Sequence, residues 1–166
     1  MPIRPSNYHI YGHPFLPYNL IPSSIVGLPG FPVEDVTIEN VEITYGGGGS
    51  RAIAHIPLED LGRVPENRAN YPEFSMFGEL PAWGFYLRHA RGIRFNNVKL
   101  SYRKDDFRPA IVMDDVQSSA VSGLNIPTAK ELPVIYLHET KEVNLTGLKT
   151  VFPLSEAVKR VNNAVR

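Results

Sequence analysis

The sequence contains no cysteine, which excludes disulfide bonds and thiolate metal sites and leaves the compartment open. It has no excess of either charge, because 17 Lys and Arg balance 17 Asp and Glu. No basic cluster is denser than Arg103 and Lys104, so the electrostatic field that nucleic-acid binding requires is missing. No apolar run approaches the roughly 20 residues of a membrane span. The composition therefore argues against redox, membrane and nucleic-acid functions.

Proline, in contrast, is abundant. Most of the 15 prolines lie in residues 2–32 and 57–81, and we expect both stretches to be irregular. The chain has 166 residues, a length that predicts one domain with its own core. We expect residues 1–24 to form an irregular N-terminal segment of that domain.

An internal repeat with a period of about 25 residues runs through the second half of the chain. Polar residues alternate with its apolar positions, as in half-buried strands. The repeat places these residues in four columns: Leu87, Met113 and Leu137; Ile93, Ser119 and Val143; Phe95, Val121 and Leu145; Val98, Leu124 and Leu148.

One column of the repeat contains only residues that adopt a left-handed backbone at low cost: Asn97, Gly123 and Gly147, joined earlier in the chain by Asn40. A sharp corner repeated at one position in every rung winds a chain into a parallel β-helix. No amphipathic helical pattern separates the strands, which disfavours a βαβ fold. We therefore predict an all-β parallel β-helix of about four coils, with an antiparallel sandwich as the alternative.

Two segments depart from the repeat. The step from Asn40 to Asn97 is more than twice the period, so we expect residues 46–83 to form a long inter-coil loop. Near the C-terminus, apolar residues recur at helical spacing from Leu154 to Val165, with Ser155 as the expected N-cap. These features predict a short C-terminal helix within 154–166.

Four stretches resemble the C-terminal coils of glycoside hydrolase family 28, the polygalacturonase family, in particular its bacterial members. They are residues 22–30 (PSSIVGLPG), 71–78 (YPEFSMFG), 81–89 (PAWGFYLRH) and 108–116 (RPAIVMDDV). The resemblance implies a right-handed single-stranded parallel β-helix and inverting hydrolysis of pectin-type galacturonan. It also implies an extracellular or periplasmic location and no cofactor.

The catalytic motifs of that family are mostly absent from the chain. Asn-X-Asp, Gly-His-Gly and Arg-X-Lys do not occur, and the nearest match is Gly12-His13-Pro14. Asp-Asp occurs at Asp105-Asp106 and Asp114-Asp115, without the preceding glycine of the family. We therefore expect a C-terminal segment of a longer enzyme, with the catalytic coils upstream and no activity of its own.

The best ionisable constellation is the column His89, Asp115 and Glu139, which the repeat places at a turn on three rungs. As catalytic candidates, these residues would have to supply an acid and a base with room for a water. The alternative is a solvated ladder of polar turn residues. Arg88 and Asp114 fall in the preceding column and are expected to form a surface ion pair.

Aromatic residues supply the candidates for substrate binding. Tyr71, Glu73 and Trp83 in the long loop are expected either to reach a polysaccharide cleft or to pack in the core. His9 and His13 lie in a proline-rich stretch without helical periodicity, so we expect no metal site.

Two functions remain open. The first is the C-terminal segment of a polysaccharide-degrading hydrolase, whose partners are a pectin-type polysaccharide and the upstream β-helix coils. The second is a non-catalytic β-helical module that binds carbohydrate or serves as structure. In either case, an uncovered N-terminal rung presents unpaired backbone groups, and we expect self-association through it or exchange of roughly the first 20 residues between copies.

Overall fold

The fold is all-β and is built on one sheet of ten strands, all of whose pairings are parallel. The computed structural model describes residues 20–50, 56–69, 77 and 80–162. Within these residues no helix is long and apolar enough to cross a membrane. The strands are β1 Ser23–Val26, β2 Val33–Glu34, β3 Thr37–Gly47, β4 Phe85–Arg91, β5 Arg94–Lys104, β6 Ile111–Ile126, β7 Ile135–His138, β8 Lys141–Thr146, β9 Lys149–Thr150 and β10 Val158–Val161. The described residues also include a 3₁₀ helix, η1 (Leu58–Arg63), and one turn of α-helix, α1 (Leu154–Ala157).

Successive stretches of the chain stack as layers, which we call rungs. The first rung is β1 to β3, the second β4 and β5, the third β6, and the fourth β7 to β9; β10 then pairs with β7. Leu87 pairs with Met113 and Met113 with Leu137, the columns that the repeat predicts. Phe95, Val121 and Leu145 form a second predicted column. The predicted register is confirmed.

Left-handed backbone conformations recur at three positions of the rungs. The predicted column is confirmed, since Asn40, Asn97, Gly123 and Gly147 have φ of 54°, 52°, 67° and 63°. His89, Asp115 and Glu139, expected at a turn, have φ of 49°, 52° and 50°. The sequence reading missed a third column, whose members are Asp35, Gly92, Ser118 and Glu142. Each column bends the paired strands at one place, so the sheet curls around its interior.

The interior of the curled sheet is apolar and includes most of the predicted core. Phe95, Val98, Val121 and Leu124 are buried. Leu145 and Leu148 are only half-buried because they belong to the fourth rung. Among the described residues, no strand pairs with that rung at these columns on the side away from the third rung.

Three strands bury both of their faces. On the outer face, Tyr86 of β4, Val112 of β6 and Tyr136 of β7 are covered by Leu61 and Val64 from the segment around η1. Leu80 and Ala82 extend this outer cluster. The segment between β3 and β4 therefore lies partly against the outside of the sheet, which a repeat-based reading does not reveal.

A buried ion pair fixes the connection between β5 and β6. Arg108 donates from Nε and Nη2 to the two carboxylate oxygens of Asp106 at 2.9 and 2.7 Å. The backbone N–H of Gly49 also donates to Asp106, at 2.8 Å, and Arg108 reaches the carbonyl oxygens of Leu20 and Leu80. Both charges are compensated where they are buried, as buried ions require.

The predicted C-terminal helix over 154–166 is wrong beyond its first turn. α1 ends at Ala157, and Val158 begins β10, which pairs with β7 from Ile135 onwards. The β-branched Val158 and Val161 suit a strand, and the open edge of β7 supplies its partner. Ser155 is not the N-cap, because that position is Pro153 without a side-chain cap. Residues 163–166, including Val165, lie outside the described residues.

At the other end, the expected irregular segment 1–24 falls mostly outside the described residues, and Ser23 and Ser24 already belong to β1. β3 pairs with β5 along one edge, and no strand of the described residues pairs with its other edge. Self-association through this edge stays a prediction.

Candidate functional site

The His89, Asp115 and Glu139 ladder lies at one of the three bends of the rungs. His89 is in β4, Asp115 in β6, and Glu139 directly follows β7. A left-handed conformation is costly for residues other than glycine, asparagine and aspartate, so two of the three backbones are held by their surroundings. For Glu139 the surroundings include a hydrogen bond from its N–H to the carbonyl of Val161 in β10, at 2.9 Å.

His89 is held between two carboxylates. Its Nδ1 lies 2.7 Å from Oδ2 of Asp115 on the next rung, and its Nε2 lies 3.1 Å from Oε1 of Glu66. Glu66 comes from the segment that follows η1 and was missed by the sequence analysis, because it lies outside the repeat. Both ring nitrogens are therefore occupied.

A second charged group lies beside the first. Arg88 Nε is 3.1 Å from Oδ2 of Asp114, whose Oδ1 is 2.7 Å from Nδ1 of His138. Arg88 also lies 3.3 Å from Glu66 and donates to the carbonyl of Val64 at 3.0 Å. These contacts join Glu66, Arg88, His89, Asp114, Asp115 and His138 into one network, which we call the charged cluster.

Arg88 and Asp114 form the expected ion pair, but its expected position at the surface is wrong. Their side chains are only 12% and 8% exposed. The cause is the segment 56–69, which covers this outer column of the sheet through Val64 and Glu66. The contact of Asp114 with His138 could have been predicted from the repeat, because His138 is the register partner of Asp114 on the next rung.

Tyr86 lies under the same segment. Burial raises the pKa of its phenol well above the usual range, and the negative charge of Asp114 raises it further. The phenol therefore stays protonated at neutral pH and does not act as a base. Burial likewise raises the pKa of Tyr136, its neighbour in the outer cluster.

The charged cluster is suited to holding the segment 56–69 on the sheet. Inverting glycoside hydrolysis needs a carboxylic acid and a carboxylate on opposite sides of a bond, with space for a water between them. Here Glu66 and Asp115 are joined through His89, while Asp114 forms ion pairs with Arg88 and His138. The geometry thus favours a structural role over a catalytic one for His89 and Asp115. The ladder is not the solvated one that was the alternative, because the His89 side chain is only 12% exposed.

The three substrate-binding candidates do not come together in the described residues. Trp83 is buried in the core, 2% exposed, and its ring contacts Tyr45 and Tyr102 edge to face at centroid distances of 5.7 and 5.0 Å. Of the two roles that the sequence left open for Trp83, it has the packing role in the core. Tyr71 and Glu73 lie outside the described residues.

The two residues of the other Asp-Asp pair belong to separate ion pairs. Asp105 pairs with Lys130 at the surface at 2.8 Å, and Asp106 belongs to the buried ion pair with Arg108. Among the described residues no group of three or more His, Asp or Glu side chains is arranged to hold a metal ion. His9 and His13 lie outside this part of the chain.

One cavity opens beside the ladder. It has a volume of about 170 Å³ and lies between the excursion that joins β1 to β2 and the bend at His89 and Asp115. Its lining residues are Leu28, Gly30, Pro32, His89, Ala90, Arg91, Asp115 and Gln117.

Comparisons with protein-family models, with curated proteins and with solved structures find no match for the chain. A family assignment therefore depends on the residues themselves and is a proposal.

Proposed function

We propose that the chain is the C-terminal segment of a polysaccharide-degrading glycosidase resembling the polygalacturonases, folded as a right-handed single-stranded parallel β-helix. In this proposal it supplies scaffold and one wall of the cleft, and it has no activity alone. The observation that carries the proposal is the stacking of parallel rungs, one for each period of the repeat, with left-handed residues at fixed positions.

The stretches that resemble the family support the proposal by their placement. Residues 22–30, 81–89 and 108–116 occupy the same part of three successive rungs, since Ser23 pairs with Phe85 and Phe85 with Ile111. Stretches that are far apart in sequence thus belong to one surface of the stack.

The lack of activity follows from the residues that the chain does not contain. Asn-X-Asp, Gly-His-Gly and Arg-X-Lys are absent from the sequence. The ionisable residues of the charged cluster contact one another, and His89 has a carboxylate on each ring nitrogen. The catalytic coils, and the contacts that clamp the substrate, would therefore come from upstream, and the natural partners are those coils and a pectin-type galacturonan.

The coding sequence upstream of Met1, together with the mass of the native protein, tests this proposal. An in-frame Asn-X-Asp, Asp-Asp and Gly-His-Gly series, and a native mass well above the 18.6 kDa of this chain, are expected. A native protein of 18.6 kDa that begins at Met1 would contradict it.

A second candidate function is a non-catalytic β-helical module that binds carbohydrate or serves as structure. The charged cluster favours it, because its side chains fasten a covering segment and are not directed at a shared reacting centre. This candidate predicts the shorter native protein in the same experiment.

A further inference from the structure

The excursion between β1 and β2 is a rigid turn. The excursion begins at Gly27, whose N–H donates to the carbonyl of Arg88 and whose position in the first rung corresponds to that of His89 in the second. It ends at Val33, which pairs with Ala90. Between Gly27 and Val33, Leu28 and Phe31 exchange two backbone hydrogen bonds of 3.0 and 2.8 Å. Gly30 has φ of +80°, and with Pro29 before it this is a type II turn.

The turn displays the most exposed large apolar side chain of the described residues. Phe31 is 69% exposed. A phenyl ring in water is unfavourable, and here it stands on a turn whose proline and paired hydrogen bonds restrict its movement. Because the backbone that carries the ring is fixed by the turn, and phenylalanine has only two side-chain torsions, binding a ligand here orders few degrees of freedom.

The cavity of about 170 Å³ lies against the inner side of this turn, between Gly30 and Pro32 on one wall and the ladder on the other. Asp115 places one carboxylate oxygen on His89, while its side chain stays 45% exposed. Arg91 lines the same cavity with a guanidinium that is 56% exposed and donates from Nη2 to Glu34 at 2.6 Å, which leaves its other N–H groups for a ligand. The cavity thus combines a carboxylate acceptor with a guanidinium, and Phe31 lies between two of the residues that line it, Gly30 and Pro32.

We propose that this place, which we call the turn site, binds one ring of an oligosaccharide, with Phe31 against the apolar C–H face of the sugar and Asp115 and Arg91 on its hydroxyl groups. The choice of a sugar as the ligand rests on the proposed function. The location of the site rests on three observations, which are the turn, the exposed ring of Phe31 and the cavity.

The size and chemistry of the turn site fit one sugar ring better than a larger ligand. Its volume is well below the roughly 300 Å³ at which pockets for drug-sized molecules begin. The other concavity described, about 300 Å³ over Asn40 and Asn97, is more open, and none of its lining residues is next to an aromatic residue in the chain. Of these two concavities, only the turn site is lined by a segment that carries an exposed aromatic side chain, Phe31 between Gly30 and Pro32.

Titration calorimetry of the full chain with oligogalacturonides and, separately, with neutral oligosaccharides of galactose and glucose tests the proposal. Phe31→Ala is expected to weaken binding about tenfold, the usual loss for an aromatic anchor, while Phe31→Tyr retains it. Asp115→Asn is expected to weaken binding by a smaller factor. Val151→Ala removes a side chain of similar exposure, 61%, far from the site, and is expected to leave binding unchanged.

The outcomes separate the turn site from the proposed function. Binding of any of these sugars that Phe31→Ala and Asp115→Asn leave unchanged would overturn the turn site, with the proposed function unaffected. Binding of neutral sugars alone, lost in Phe31→Ala, would support the site and count against a galacturonan substrate. No binding of any of the sugars would overturn the site.

Discussion

His89 Nδ1 and Asp115 Oδ2 are 2.7 Å apart although the two residues are separated by 26 positions in the chain. The repeat places them on adjacent rungs at the same bend, where their side chains leave the sheet side by side. Glu66 then closes the arrangement from the covering segment, 3.1 Å from the other nitrogen of the ring. The bend, the ladder and the segment over it therefore form one structural unit.

Glu66→Gln tests the attachment of the covering segment. The substitution keeps the shape of the side chain and removes the charge that faces Arg88 and His89, so a loss of about 1 kcal/mol of unfolding free energy is expected. Hydrogen exchange at Leu61 and Val64 is expected to become faster. Glu59→Gln, an exposed residue of the same segment, serves as the control. Equal rates of hydrogen exchange at Leu61 and Val64 in the two variants would show that the charged cluster does not hold the segment.

The sequence predicted the register because apolar residues recur in the same columns of successive rungs, as with Phe95, Val121 and Leu145. It predicted the bend at His89 and Asp115 for the same reason. Glu66 could not be predicted, because contacts made by a loop follow no period. The prediction of a C-terminal helix was wrong from Val158 onwards. The apolar spacing there fits a helix, but pairing with β7 stabilises a strand instead.

Tyr86→Phe is expected to reduce the loss of stability at alkaline pH. Because burial raises the pKa of Tyr86 in the folded state, the folded chain retains its proton where the unfolded chain releases it. Unfolding free energy is therefore lost as the pH rises above about 10, the ordinary pKa of tyrosine. The unfolding free energy, measured with urea between pH 8 and 11, is expected to fall less steeply in the variant. An identical pH dependence in both proteins would show that Tyr86 does not cause this loss of stability.

Arg108→Met is expected to be severely destabilising. It leaves the carboxylate of Asp106 buried without its partner, for which the usual cost is about 3 to 5 kcal/mol. Lys130→Met removes the partner of Asp105 in an exposed pair, and a change below about 1 kcal/mol is expected. Chemical denaturation compares the two variants. A similar small effect of both would show that the buried pair is not needed.

Gly123→Ala and Gly123→Asn test the left-handed column. An added Cβ would meet Asn97 only at 3.5 Å, an ordinary contact, so the cost of alanine comes from φ of +67°. A left-handed alanine costs about 1 to 2 kcal/mol, while asparagine tolerates this conformation better. Asn40 and Asn97 already occupy the same column. Gly123→Asn is therefore expected to be the more stable variant, and the reverse order by thermal unfolding would contradict the argument.

The most direct test of the central claim is a reducing-end assay of the purified chain on polygalacturonan, with Asp115→Asn assayed in parallel. No release above the blank is expected from either protein, because the acid, base and clamping motifs of family 28 are absent and Asp115 is paired with His89. Turnover by the chain that disappears in Asp115→Asn would contradict the account and assign the ladder a catalytic role.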